Sequence, residues 1–245
     1  MTDAIVLHAF NYSESSRILR LATRAAGVQS VLARGARASQ RRFGSAVDLF
    51  AEGEVQYEVR TGRDLHTLAR FDVQRSRVAL GSSLPRFEGA SALADVMLRV
   101  AGDDDTPADA FDALRSGLDA IATDAEATLA TLRAIWRLLA TLGFTPALDA
   151  CVHCDRAIPS DVETAFSAEA GGVLCESCAS RVSARRLPAD ARRVLQSWLD
   201  PEAAEASAPL NLPTERAHRR LLRTFVHAHL TDGRPLRAFD AWATA

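Results

Sequence analysis

Cys151-Val-His-Cys154 and Cys175-Glu-Ser-Cys178 use every cysteine of the 245-residue chain, and their spacing constrains the fold more than any other feature. The pattern is CxxC, 20 residues, CxxC. Each CxxC turn presents two thiolates about one tight turn apart, and two such pairs meet the tetrahedral preference of zinc. Gly171-Gly172, just ahead of the second pair, supplies the backbone freedom such a knuckle requires. Other uses of the set fit less well. Two disulfides would need an oxidising compartment, and the opening MTDAIVLHAFNYSESSR has neither the basic start nor the apolar run of a signal peptide. A redox dithiol calls for one CxxC at a strand-to-helix turn, not two matched knuckles. A catalytic zinc keeps three protein ligands and an open position, whereas four thiolates close the shell. Neither HExxH nor the HxE…PCxxC pattern of zinc deaminases occurs. His153 sits between two ligands but is surplus to a complete four-sulfur set. The expectation is one structural Zn2+ on Cys151, Cys154, Cys175 and Cys178, and a binding protein with no catalytic residues.

The rest of the chain divides by hydrophobic period. Residues 1–77 read as β. Ala4 to Phe10 is apolar, Ser16 to Thr23 alternates, Val28 to Ala33 resumes after Ala26-Gly27, and Leu65 to Val73 returns after the Thr61-Gly62 turn. In Glu54 to Arg60 the residues Val55, Tyr57 and Val59 share one face. About five short strands bury their edges most economically as a small barrel of the OB type. After Gly81-Ser82-Ser83 the period becomes helical. Leu93, Val96, Met97 and Val100 form one stripe, and Phe111, Leu114, Leu118 and Ile121 a second. Leu129, Leu132, Trp136, Leu139 and Leu142 form a third, ended by Gly143. Thr106-Pro107 suits a helix start, and Thr123 with Glu126 resembles a capping box. Helices are expected again over Ala189 to Leu199 and Thr214 to Leu230, with a loop between them and loose final residues. The predicted class is α+β: a five-stranded OB-type barrel over 1–80, a helical bundle domain over 81–147 and 183–245, and a four-cysteine zinc module over 148–182 inserted in the latter. No stretch approaches the roughly 20 apolar residues of a membrane span. The expected address is the cytoplasm.

All 29 basic side chains are arginine. Biased codon usage accounts for that, but the consequence holds regardless. Without lysine there is no P-loop and no Schiff-base or pyridoxal chemistry. Residues 1–80 carry 12 Arg against 8 acids, while the remainder carries 17 against 23. No acid falls between Gly27 and Val47, where Arg34, Arg37, Arg41 and Arg42 lie beside Gly35, Phe43 and Gly44. Small residues let a phosphate backbone approach, guanidinium groups neutralise it, and aromatic side chains can stack on bases. Phe10, Tyr12, Phe43, Phe50, Tyr57 and Phe71 are the aromatic candidates, most of them needed to fill the barrel. On these residues alone, a solvated loop and a zinc-ribbon adaptor that binds protein instead of DNA both stay open.

The opening AIVLHAFNYSESSRILRLATRAAGVQSVLARGAR resembles that of the RecO family of bacterial recombination mediators, through Tyr12, Glu14, Ser15, Thr23, Gly27, Arg34, Gly35, Ala36 and Arg37. The junction LGFTPALDACVHC resembles the same family through Leu142, Gly143, Phe144, Pro146, Leu148, Cys151 and Cys154, with Cys175 and Cys178 completing its zinc module. The resemblance implies an OB barrel, a helical domain and a zinc-stabilised module. It also implies binding to single- and double-stranded DNA, annealing of complementary strands, and partnership with RecR and the single-strand-binding protein. Through these, RecA is helped onto coated strands at the nucleoid. Family basic residues carry over to Arg34 and Arg37, and beyond them to Arg41 and Arg42. Ala38-Ser39-Gln40 stand where relatives are more basic.

Overall fold

A computed structural model describes residues 1–36, 48–60, 62–100, 108–200, 209–230 and 234–244. The first five strands are β1 (Thr2–Asn11), β2 (Arg17–Thr23), β3 (Gly27–Ala33), β4 (Glu52–Glu58) and β5 (Leu65–Arg75). They close into a barrel in the order β1-β2-β3-β5-β4. β4 returns to β1 by pairing Thr2 with Val55 and Ile5 with Glu52, and β3 meets β5 in parallel. This is the five-stranded OB arrangement. Ala4, Val6, Leu19, Leu21, Val31, Val55, Leu68 and Phe71 fill the interior. A bulge between Val6 and His8 shifts the alternation so that Ala9 also packs inward. Gly53 sits where β4 and β5 come closest: a Cβ there would stand 2.0 Å from the Asp72 carbonyl oxygen. Val59 follows the end of β4 and is 70% exposed, so it does not share the inward face of Val55. The strand stops before the alternation does.

A 3-10 turn (Val78–Ser82) leads into α1 (Leu84–Val100), α2 (Ala108–Thr123) and α3 (Ala127–Thr141). The three stripes read from the sequence face the helical core, with Val100 and Leu142 partly buried at their ends, and the buried Trp136 ring lies 5.1 Å from that of Phe225. The expected helix start at Thr106-Pro107 lies outside the described residues. The capping box is not formed. The Thr123 hydroxyl donates to the Asp119 carbonyl at 2.9 Å within α2, and the Asp124 carboxylate instead closes a local turn ahead of α3 by accepting from the Glu126 N–H at 3.0 Å.

Next comes a three-stranded antiparallel sheet of order β7-β6-β8, built from β6 (Thr164–Ser167), β7 (Gly172–Leu174) and β8 (Arg185–Leu187), with the short α4 (Glu176–Ala179) after β7. Phe166 of β6 enters the helical core and lies 6.4 Å from the Phe225 ring. The chain then forms α5 (Ala189–Leu199), α6 (Leu212–Leu230) and α7 (Arg237–Thr244). The final residues are therefore not loose. Phe239 and Trp242 are buried, and the Asp95 carboxylate on α1 accepts from the Ala238 and Phe239 N–H groups at 3.0 and 3.3 Å. A carboxylate there satisfies the orphan donors and the positive end of the helix dipole.

The barrel is fastened to the helices by arginines. Arg77, with 2% of its side chain exposed, donates to Glu52 at 2.5 Å, to Asp119 at 2.8 Å and to the Phe50 carbonyl at 3.0 Å. Arg75 reaches the same Asp119. Arg24 grips Asp112 with two 2.7 Å bonds and lies 4.6 Å above the Phe111 ring. Burial acts to raise the Asp119 pKa, but bonds and charge from Arg77 and Arg75 outweigh it and hold the carboxyl below its usual range.

His218 of α6 is 1% exposed, packs with its ring 4.7 Å from that of Trp198 and tilted 54° to it, and finds no hydrogen-bond partner for either ring nitrogen among the described residues. Burial drives its pKa down to about 4. The folded state therefore holds this imidazole neutral, while the unfolded chain takes up its proton near pH 6.5. Stability from this group is complete above pH 6.5 and is lost as pH falls toward 4, at about 1.4 kcal/mol per pH unit and about 3 kcal/mol in all. Urea unfolding across that window should show the loss in the parent chain and a flatter profile in His218→Phe; parallel profiles would refute it.

Candidate metal centre and nucleic-acid interface

The Sγ atoms of Cys151, Cys154, Cys175 and Cys178 all lie within 4.8 Å of one another, with Cys154 and Cys175 3.7 Å apart. Tetrahedral zinc with Zn–S bonds of about 2.3 Å sets its sulfurs about 3.8 Å apart. The four residues fit that site. In the first knuckle, the Asp155 N–H donates to the Cys151 carbonyl at 2.8 Å and the Cys151 N–H to the Arg156 carbonyl at 2.9 Å, with Asp155 at φ 57°. In the second, the N–H groups of Cys178 and Ala179 donate to the Cys175 carbonyl at 3.0 and 2.9 Å as α4 begins.

Backbone pairing holds the two knuckles together. The Val152 N–H donates to the Val173 carbonyl at 3.0 Å, and the Val173 N–H donates to the Ala147 carbonyl at 2.9 Å. Gly172 makes this close approach possible, since a Cβ would stand 2.4 Å from the Ala147 carbonyl oxygen. The sequence assigned flexibility to Gly171-Gly172. Gly171 provides it, at φ 82°, whereas Gly172 provides clearance.

The thiols are electrostatically unequal. The Ser177 hydroxyl, then the Cys178 N–H, pull the Cys175 pKa down to about 6. Contact with Cys175, then burial, pushes Cys178 up to about 12. Crowded sulfurs resist sharing negative charge until a cation neutralises them. A metal here would have a closed four-sulfur shell and would cross-link residues 151–154 to 175–178. His153 is not part of the cluster.

On the barrel, Arg34 is exposed in the turn after β3, where Gly35 takes φ 75°. Arg37, Arg41, Arg42 and Phe43 lie outside the described residues. Phe50 and Phe71 are core side chains. Tyr57 stacks on His66 with rings 5.5 Å apart and 7° from parallel. Phe10 and Tyr12, 41% and 60% exposed, are the aromatic candidates that face solvent. Sequence reasoning passed over Arg20 on β2. Its half-buried guanidinium has its pKa lowered by burial, and it pairs across the sheet with His8 and Ser30. The strand register, which sequence pattern does not show, is the signal that places it.

A closed OB barrel, clamped to a helical body that carries a four-thiol cluster, defines a class of barrel proteins with a metal-clip accessory module. Two family profiles match the chain: "Recombination protein O N terminal" over residues 1–77 and "Recombination protein O C terminal" over residues 81–238. The chain belongs to the RecO family. It is 37% identical over 238 residues to "DNA repair protein RecO" of Anaeromyxobacter dehalogenans (strain 2CP-C), covering 96% of this chain and 92% of the relative. Proteins of the same name from Rubrobacter xylanophilus and Thermobifida fusca are 32% and 31% identical, over 92% and 97% of this chain and 90% and 97% of theirs. Among the described residues, no helix is long and apolar enough to cross a membrane.

Proposed function

We propose that this chain is a DNA-repair recombination mediator. It binds single- and double-stranded DNA through its barrel, anneals complementary strands, and acts with RecR and the single-strand-binding protein to help RecA onto coated strands. It does so in the cytoplasm, at the nucleoid, and without bond-making chemistry. The observation that carries this reading is an exposed arginine turn at the end of β3, leading into an acid-free segment on a barrel of the oligonucleotide-binding type. Arg34, Arg37, Arg41 and Arg42 screen phosphate repulsion so that two strands can approach.

The metal of the cysteine cluster is zinc, held by Cys151, Cys154, Cys175 and Cys178. Its contribution is a cross-link that holds the inserted module, residues 148–182, against the helical domain of 81–147 and 183–245. The barrel domain is 1–80.

Fluorescence anisotropy of a labelled oligonucleotide, titrated at two salt concentrations, tests the DNA reading. Conversion of Arg34, Arg37, Arg41 and Arg42 to Ala should weaken binding and reduce the log–log salt slope by roughly 0.7 for each single-strand phosphate left without its arginine. A slope equal to that of the parent chain would move the interface elsewhere. No binding by the parent chain in dilute buffer would leave an adaptor that binds protein alone.

A further inference from the structure

The two cysteine knuckles are built alike, and within each the sulfurs are exposed unequally. Each buries its first cysteine, Cys151 at 2% and Cys175 at 9% exposure, and turns its second toward solvent, with Cys178 half-buried and Cys154 exposed. The Sγ atoms of Cys154 and Cys175 lie 3.7 Å apart although they belong to different knuckles. The Val152 N–H donates to the Val173 carbonyl at 3.0 Å, and each of these residues stands two positions ahead of one of the two cysteines. The backbone therefore holds an exposed sulfur against a buried one. Behind them Cys175 packs on Cys151 and Leu174.

A cysteine bound to a metal is a thiolate. Cys154 is then a nucleophilic sulfur that small solutes can reach, with a second sulfur in contact and shielded from them. That is the arrangement of a dithiol that reacts with hydroperoxides. The Cys154 thiolate attacks one oxygen of hydrogen peroxide, the O–O bond breaks, and a sulfenic acid forms on Cys154. The Cys175 thiolate then attacks the Cys154 sulfur, an S–S bond forms, and the S–O bond breaks as hydroxide leaves. Two thiolates, one hydrogen peroxide and two protons become one disulfide and two waters. The sulfurs give up two electrons and the peroxide oxygens take them. Cys151 and Cys178 remain as half of the four-sulfur shell, too few to keep the metal.

We infer that the cluster is an oxidation-responsive clip, which exchanges its metal for a Cys154–Cys175 disulfide when it meets a hydroperoxide. The inference rests on the zinc reading above and extends it from bracing to redox response. Because the two sulfurs come from different knuckles, the new bond spans the 20 residues between them and takes over the cross-link. A bond inside one knuckle, Cys151 to Cys154, would instead let the knuckles part. The module thus gives up its metal without losing its hold, and a thiol reductant with fresh zinc reverses the exchange.

The test treats the zinc-loaded chain with hydrogen peroxide. A chromogenic chelator should register about one zinc released per chain, and the denatured chain should weigh less than the reduced, metal-free chain by the mass of two hydrogens. Trypsin cuts between the knuckles only after Arg156, so residues 138–156 and 157–181 separate unless a disulfide joins them. They should stay joined, through Cys154 and Cys175 on fragmentation, until a thiol reductant parts them. The oxidised chain should also melt roughly 6–12 °C above the chain stripped of zinc by a chelator under reducing conditions, the shift expected of a disulfide that closes a loop of this length. Zinc retained in excess peroxide, the two fragments released separately, or equal melting of the oxidised and stripped chains overturns the inference while the zinc reading stands. An untreated chain that holds no zinc overturns both.

Discussion

Replacing Cys175 with serine is expected to strip the metal from the protein and loosen residues 147–187 as a unit. Cys175 is buried, its thiol is drawn toward the thiolate form, and its carbonyl anchors the turn that begins α4. Structural zinc contributes on the order of 10–16 kcal/mol of apparent binding energy in small four-ligand folds near neutral pH, and three remaining ligands keep only part of that. Metal analysis should fall from about one zinc per chain to a trace. Amide exchange should speed up across β6 and β7. Phe166 ties this module to the helical core, so melting should also shift for the molecule as a whole. Because the sulfurs bind as thiolates, lower pH should release metal from the parent chain, with affinity falling as protons compete. A serine variant that keeps its metal and its melting temperature would show that the cluster does not brace the fold.

The second large effect is expected at the clamp between barrel and helices. Arg77→Met removes the guanidinium shared by Glu52, Asp119 and the Phe50 carbonyl. It leaves Glu52, with 12% of its side chain exposed, as a charge without its main partner. Breaking a buried pair from one side costs about 3–5 kcal/mol, which in a chain of this size lowers the melting temperature by roughly 6 to 20 °C. Arg115, 3.9 Å from Glu52, is a weak substitute. The double variant Arg77→Met, Glu52→Gln should recover part of the loss, because the stranded charge goes with it. If the single variant melts within a degree or two of the parent, the clamp contributes little and apolar packing alone seats the barrel.

The sequence carried the local parts of this structure and little of the long-range pairing. Alternation located Val55 and Tyr57 on the inward side of β4, and the 3.6-residue stripe of α3 placed Trp136 in the core, because each pattern is complete within its own segment. The cysteine pairs were legible because zinc geometry leaves few uses for such spacing. Barrel closure through Thr2–Ile5 against Glu52–Val55 was not legible in detail, since nothing in either segment specifies the other's register. The Arg77 clamp was hidden for a similar reason: an arginine between Ser76 and Val78 reads as solvated until Glu52 and Asp119 arrive from distant parts of the chain. Helix α7 was missed because eight residues carry too few apolar positions to establish a period, and its support comes from Asp95 on α1. Arg37, Arg41 and Arg42 remain expectations on the DNA side, where Arg34 is the member that the structure describes.

The docking of α7 on α1 also bears on how the protein is made. The barrel needs only residues 2–75, so it can close while the ribosome is still translating the helices. The helical body cannot: the side of α1 that receives Phe239 and Trp242 must wait for roughly 140 more residues, about 7 to 28 s at about 5–20 residues per second. During that interval an apolar helix face is open beside a finished barrel, so the nascent chain is most exposed to mispairing and to chaperones late in its synthesis, after its N-terminal module is already in place.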